Sequence, residues 1–206
     1  MAESQPLPFD PIAEARRHWR ERWGEGPARP MAAVTSIMRA QQILLARLNE
    51  LLRPHGLTFP RYETLMLLVF SSRGSLPVGK MGERLQVHRT SMTHMADRLE
   101  EAGLVTRVSH AQDRRSTLIA ITEAGRELAE RATQALNAAG MAMDPLAPEE
   151  QESITRLLSA IRRDEGDFAA DAVTAADVGS TAEPRGERAA AGGERAVAAE
   201  PVRGSA

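Results

Sequence analysis

Cysteine is absent from this 206-residue chain. That absence excludes disulfides, thiolate metal sites and cysteine-based redox sensing. Aromatic residues are scarce, at 3%, so the core must be aliphatic. The five histidines (His18, His55, His88, His94, His110) are scattered. None falls at the spacing that pairs two imidazoles on one helix face, so no metal or other cofactor is expected. No apolar run reads as a signal peptide or a membrane span, and the N-terminus MAESQPLPFD is polar. A cytoplasmic protein without membrane contact is the default expectation. Nucleophile–base pairs and Gly-rich phosphate loops are also missing, which argues against an enzyme.

A basic excess is lacking too, since the formal net charge is −2. The balance changes when charge is read by segment. Residues 167–206 are net acidic by three, whereas 77–116 are net basic by two through Lys80, Arg84, Arg89, Arg98, Arg107, Arg114 and Arg115. Local charge governs contact with phosphate, because terms beyond ~8 Å are screened at physiological salt.

What is present is helical periodicity. Asp10 can cap a first helix with Pro11 at its first position, and Ile12, Ala15, Trp19 and Trp23 share one face. Gly24–Pro30 is expected to end that helix. A long helix over 32–53 carries Val34, Ile37, Met38, Leu44, Leu45, Leu48, Leu51 and Leu52 on one stripe, too long to cover itself. Residues 58–71 form a helix apolar on most sides through Phe70, followed by a loop over 71–75. Pro77 opens a short helix ending near Leu85, Gln86-Val87 turn, and a helix follows over 89–101 with Gly103 as its αL cap. Two strands, 104–109 and 117–122, flank a hairpin tip at 111–116. Thr122 caps a helix to about Ala139, with Ala124, Leu128, Ala132, Ala135, Leu136 and Ala139 inward. A last helix starts at Pro148, with Ile154, Leu157, Leu158 and Ile161 as its stripe.

This order is a winged helix-turn-helix. On the 89–101 helix, Met92, Ala96 and Leu99 form the packing side, with Met95 at its edge. Thr90, His94 and Arg98 point the other way, flanked by Ser91 and Thr93. Small hydroxyls and an imidazole at a helix start can approach base edges, and Arg89 can reach a guanine or a phosphate. Asp97 does not suit DNA contact and reads as an internal ion-pair partner. At the hairpin tip, Asp113, Arg114 and Arg115 place one arginine toward the minor groove or a phosphate and another as a brace.

From Leu57 to Ala139 the chain resembles the MarR family of bacterial regulators. The likeness rests on ADRLEEAGLVTR (96–107), the Asp-x-Arg of Asp113 and Arg115, and ITEAG (121–125). It implies a homodimer interlocked through N- and C-terminal helices, with Arg115 in the minor groove steadied by Asp113. It also implies a small-molecule effector bound near the hinge between dimer and DNA lobe. The added first helix resembles a subgroup that includes urate-responsive regulators, which makes Trp19, Trp23 and Glu63 the candidate ligand residues. Met95 stands where that subgroup has an arginine, so urate is not carried over.

The expected fold is mainly α with a small β-hairpin wing, a winged helix-turn-helix dimerising through its N- and C-terminal helices. Residues 1–30 form an extension with the added helix, and 31–166 the DNA-binding domain plus dimerisation helices. Residues 167–206 are an Ala/Gly/Glu/Arg tail too poor in large apolar groups to order itself. The expected function is a sequence-specific, DNA-binding transcriptional regulator, a repressor, acting on double-stranded DNA at a pseudo-palindromic operator. The alternative is a winged-helix protein-interaction module that does not touch DNA.

Overall fold

The computed structural model describes residues 6–109 and 117–169. The chain divides into two compact units, 1–151 and 152–206.

In the first unit, α1 (Pro11–Trp23) begins where the Asp10 carboxylate accepts the Ile12 N–H at 2.9 Å. Only Gly24 (φ 88°) separates it from α2 (Glu25–Leu52). Here the structure departs from expectation: α2 starts seven residues early and carries Pro27 and Pro30 inside it. Pro27 sits among the first helical residues, whose N–H groups have no intrahelical acceptor anyway. Pro30 therefore removes just one bond, and α1 packs back along this stretch, where Ala28 is fully buried. Arg16, and then Arg29, hold the Glu25 carboxyl below the usual carboxylate range, and the Arg16–Glu25 pair ties the two helices together.

Helix α3 (Phe59–Val69) buries Tyr62, Thr64, Leu65 and Leu68. Phe70, expected inside, ends the helix and is 78% exposed. A short strand β1 (Ser75–Pro77), read from sequence as loop and helix start, then leads into α4 (Val78–Leu85). Gln86 adopts φ 50°, ψ 40° and turns the chain into α5 (Arg89–Glu101). The turn is close: a Cβ on Gly82 would lie 2.8 Å from the Val87 carbonyl oxygen. Strands β2 (Val105–Ser109) and β3 (Thr117–Ile121) follow, and the antiparallel sheet has the order β1-β3-β2. The register pairs Pro77 with Leu118 and Arg107 with Ile119.

Helix α6 (Glu123–Ala138) is capped by Thr122, whose hydroxyl accepts the Gly125 N–H at 3.1 Å. Gly125, Ala129, Ala132 and Leu136 are its buried face. Ala124, expected inward, is exposed. Gly125 takes the inner position because its Cα abuts the Leu104 carbonyl oxygen, which an added Cβ would meet at 2.1 Å. The core joins the ends of α2 and α3 to Met81, Met92, Leu99, Ile119 and Leu136.

Helix α7 (Pro148–Asp164) carries no buried residue, and Leu157 is 65% exposed. The middle of α2 is likewise uncovered, with Val34, Ile37, Met38 and Ile43 all exposed. No described helix is long and apolar enough to cross a membrane.

Candidate nucleic-acid interface

Helix α5 is held by its inner face and by both ends. Met92, Ala96 and Leu99 are buried, as their spacing predicts, and Met95 is partly buried. At the N-terminus His88 is the cap: its Nδ1 accepts the Thr90 N–H at 3.3 Å. At the C-terminus Gly103 (φ 71°) reverses the chain into β2. The start of α6 braces this reversal, because the Thr122 hydroxyl donates to the Gly103 carbonyl at 2.8 Å.

The outer face of α5 presents Arg89, Thr90, Ser91, His94 and Arg98, all exposed. Thr93 is half-buried, and its hydroxyl donates to the Arg89 carbonyl at 3.0 Å, which leaves the oxygen still able to accept. Arg98 pairs with Glu101 at 2.9 Å on the surface. Such an exposed pair is worth under ~1 kcal/mol and yields readily to a phosphate. The His94 Nδ1 lies 4.0 Å from Asp97.

The two acids on the side of α5 that meets β2 are covered. The Arg107 guanidinium, on β2, bridges Asp97 and Glu100, and the Arg107 N–H donates to Glu100 at 3.1 Å. Asp97 in the first place, then Glu100, hold the guanidinium charge more firmly than usual. Asp97 is thus an ion-pair partner, as its misfit with DNA suggests. Arg107 itself is not evident from sequence, because its role depends on β2 folding back alongside α5.

The remaining expected DNA residues, Asp113, Arg114 and Arg115, lie outside the described residues. The candidate ligand residues divide. Trp19 and Trp23 pack with their rings tilted by 48° and centroids 4.4 Å apart, and the Arg22 guanidinium lies over Trp23 at 5.1 Å. Both rings are more than one-third exposed. Glu63 is half-buried on α3 and burial raises its pKa; no described residue hydrogen-bonds or ion-pairs with it. No group of described residues could hold a metal ion.

The MarR family model matches residues 57–117, from two residues before α3 to the first residue of β3. A MarR family transcriptional regulator from Streptomyces coelicolor, solved by crystallography, is 47% identical with a TM-score of 0.64, covering 68% of this chain and 96% of that one. A second Streptomyces coelicolor MarR family regulator, solved in complex with DNA, is 25% identical with a TM-score of 0.60, covering 68% and 91%. The organic hydroperoxide resistance transcriptional regulator of Bacillus subtilis is 40% identical over 84 residues, 41% of this chain. That match spans 56% of the Bacillus protein. Near-complete coverage of the first Streptomyces regulator, at 47% identity and over the winged helix-turn-helix just described, makes this chain a member of the MarR family of DNA-binding transcriptional regulators.

Proposed function

We propose that the protein represses transcription as a homodimer bound to a pseudo-palindromic operator. Each copy lays α5 in the major groove, where Arg89, Thr90, Ser91, Thr93 and His94 read base edges and Arg98 reaches phosphate. Arg115, steadied by Asp113, contacts the minor groove or backbone from the wing, and Arg114 braces the loop. One observation carries the reading. From Arg89 to His94 the outer face of α5 holds hydroxyls, an arginine and an imidazole; further along, Arg107 neutralises Asp97 and Glu100 on the flank and Arg98 pairs with Glu101. A protein-interaction module has no use for that arrangement. The Streptomyces regulator solved with DNA supports it.

Dimerisation is supported by apolar surface left uncovered in a single copy: Val34, Ile37, Met38 and Ile43 on α2, and Leu157 and Ile161 on α7. A two-fold axis would bury each patch against its mate and set the two α5 helices about one helical turn (~34 Å) apart. A small-molecule effector, with Trp19, Trp23 and Glu63 as its candidate contacts, would act by shifting that spacing, to the extent that it binds one dimer geometry better than the other. The cytoplasm is the expected compartment, no catalysis is expected, and residues 1–30, 31–166 and 167–206 remain the proposed extension, regulator domain and tail.

The test is binding of selected genomic duplexes by fluorescence anisotropy. Arg115→Ala is expected to weaken binding to many sequences alike, while Thr93→Val and His94→Ala change which sequences bind. Equal binding by all three variants and the wild type would remove α5 and the wing from the interface.

A further inference from the structure

A second basic feature lies apart from the outer face of α5. An open concavity of about 470 Å³ is formed by the end of α3, β1, the outer side of α4 and β3. Its rim carries Arg73, Lys80 and Arg84, and no acidic residue lines it. All three cations are exposed, and none has an ion-pair partner among the described residues. Two other cations near the helix-turn-helix are committed, Arg107 to Asp97 and Glu100 and Arg98 to Glu101, whereas Arg89 on the outer face of α5 is, like these three, without an ion-pair partner among the described residues. Three like charges left together without a counter-charge repel one another. Among the described residues nothing neutralises them, which leaves them available to an anion.

The sheet register says where that anion is met. Pro77, the last residue of β1, pairs with Leu118, the second residue of β3, and Leu118 also lines the concavity. The concavity therefore lies at the wing end of the sheet, beside the β1 edge. Helix α5 packs on β2, at the opposite edge, and α4 packs on β1. The wing is thus flanked by the recognition helix on one side and by Arg73, Lys80 and Arg84 on the other. A duplex engaged by α5 and the wing continues past that second side.

We infer that Arg73, Lys80 and Arg84 form a phosphate-holding site for the DNA backbone, adjoining the wing and independent of base sequence. The inference rests on the DNA-binding reading above and extends it to residues outside α5 and the wing. The concavity is open, as suits a phosphate ribbon passing over it. Long flexible cations can follow the backbone without fixing bases, so the site contributes affinity and salt dependence and leaves sequence preference unchanged.

The experiment measures log affinity against log salt for the full chain, on a selected genomic duplex and on a random-sequence duplex. Lys80→Gln/Arg84→Gln and the triple variant adding Arg73→Gln are compared with wild type and with Arg131→Gln, a control on α6. All four positions are exposed, so folding is preserved, and circular dichroism verifies it. Each lost phosphate contact should lower the magnitude of the slope by about 0.9. The triple variant is expected to lose about two to three units on both duplexes, with the ratio of selected to random binding unchanged. A wild-type slope in the triple variant overturns the inference, as does an equal change in Arg131→Gln. If those results come with Thr93→Val or His94→Ala still altering preference, the DNA-binding reading stands and only the phosphate site fails. Wild-type protein that binds neither duplex overturns both.

Discussion

Arg107 joins the recognition helix to the wing strand, and removing it separates the electrostatic role of that joint from its structural one. Arg107→Met keeps the aliphatic stem and deletes the guanidinium that bridges Asp97 and Glu100. The three side chains are each about one-third exposed or more. Ion pairs in that setting contribute ~0.2–1 kcal/mol each, so two pairs bound the loss of stability at about 2 kcal/mol. The melting temperature should fall by no more than about 4–8 °C. DNA affinity responds for a different reason. Two carboxylates become uncompensated on the helix proposed to enter the groove of DNA. A unit charge about 8 Å from a phosphate in water is repelled by roughly 0.5 kcal/mol. Two such charges cost about 1 kcal/mol, or about fivefold in Kd. Fluorescence anisotropy on a labelled operator at ~0.1 M salt reads this directly, and the deficit should shrink as screening rises. The triple variant Arg107→Met/Asp97→Asn/Glu100→Gln should recover most of the loss, since nothing negative then remains to be covered. Wild-type affinity in Arg107→Met, or a triple variant as weak as the single one, would refute the reasoning.

Gly125→Ala places a methyl where the Leu104 carbonyl oxygen lies. It should cost about 1–3 kcal/mol by prising α6 from the α5–β2 junction, read as a lower melting temperature; an unchanged one would contradict the close approach. Met92→Ala empties a fully buried position beneath α5 and should cost ~2–5 kcal/mol in chemical denaturation. Glu63 has its pKa raised by burial, so the folded chain binds its proton more tightly than the unfolded chain. The stability this gives is fully present below the unfolded pKa and is lost as pH rises through the folded one. Glu63→Gln should therefore stabilise the protein near about pH 7, with the gain vanishing near about pH 4; an equal gain at both would refute the linkage. Val34→Asp with Leu157→Asp should convert a dimer to monomer in sedimentation, because both positions are exposed apolar residues in a single copy.

Elements announced by a local signal were legible in the sequence. Asp10 before Pro11, Thr122 before Glu123 and Gly103 after α5 fix their helix ends through groups within three residues. The inner face of α5 followed from periodicity alone. Strand β1 was not legible, because three residues become a strand only through pairing with β3, far along the chain. The start of α2 was hidden by Pro27 and Pro30, which break a helix in general yet are tolerated in its first turns. Periodicity points to Ala124 and not to Gly125, because the residue that packs there has no side chain to signal it. At the site, the misfit of Asp97 showed that it needed a partner, while the partner's identity required the fold. The unpaired Arg73, Lys80 and Arg84 carried no sequence signal beyond their charge, since their grouping depends on where β1 lies in the sheet.

The central claim is that two copies of α5, fixed by a two-fold axis, read an operator. Unbiased selection of bound genomic fragments, run with wild-type protein and with His94→Ala, tests it most directly. The expected result is a pseudo-palindromic motif with half-sites about one turn (~10 bp) apart, altered by His94→Ala at matching positions in both halves. No enriched motif, or a single half-site indifferent to His94, would contradict it.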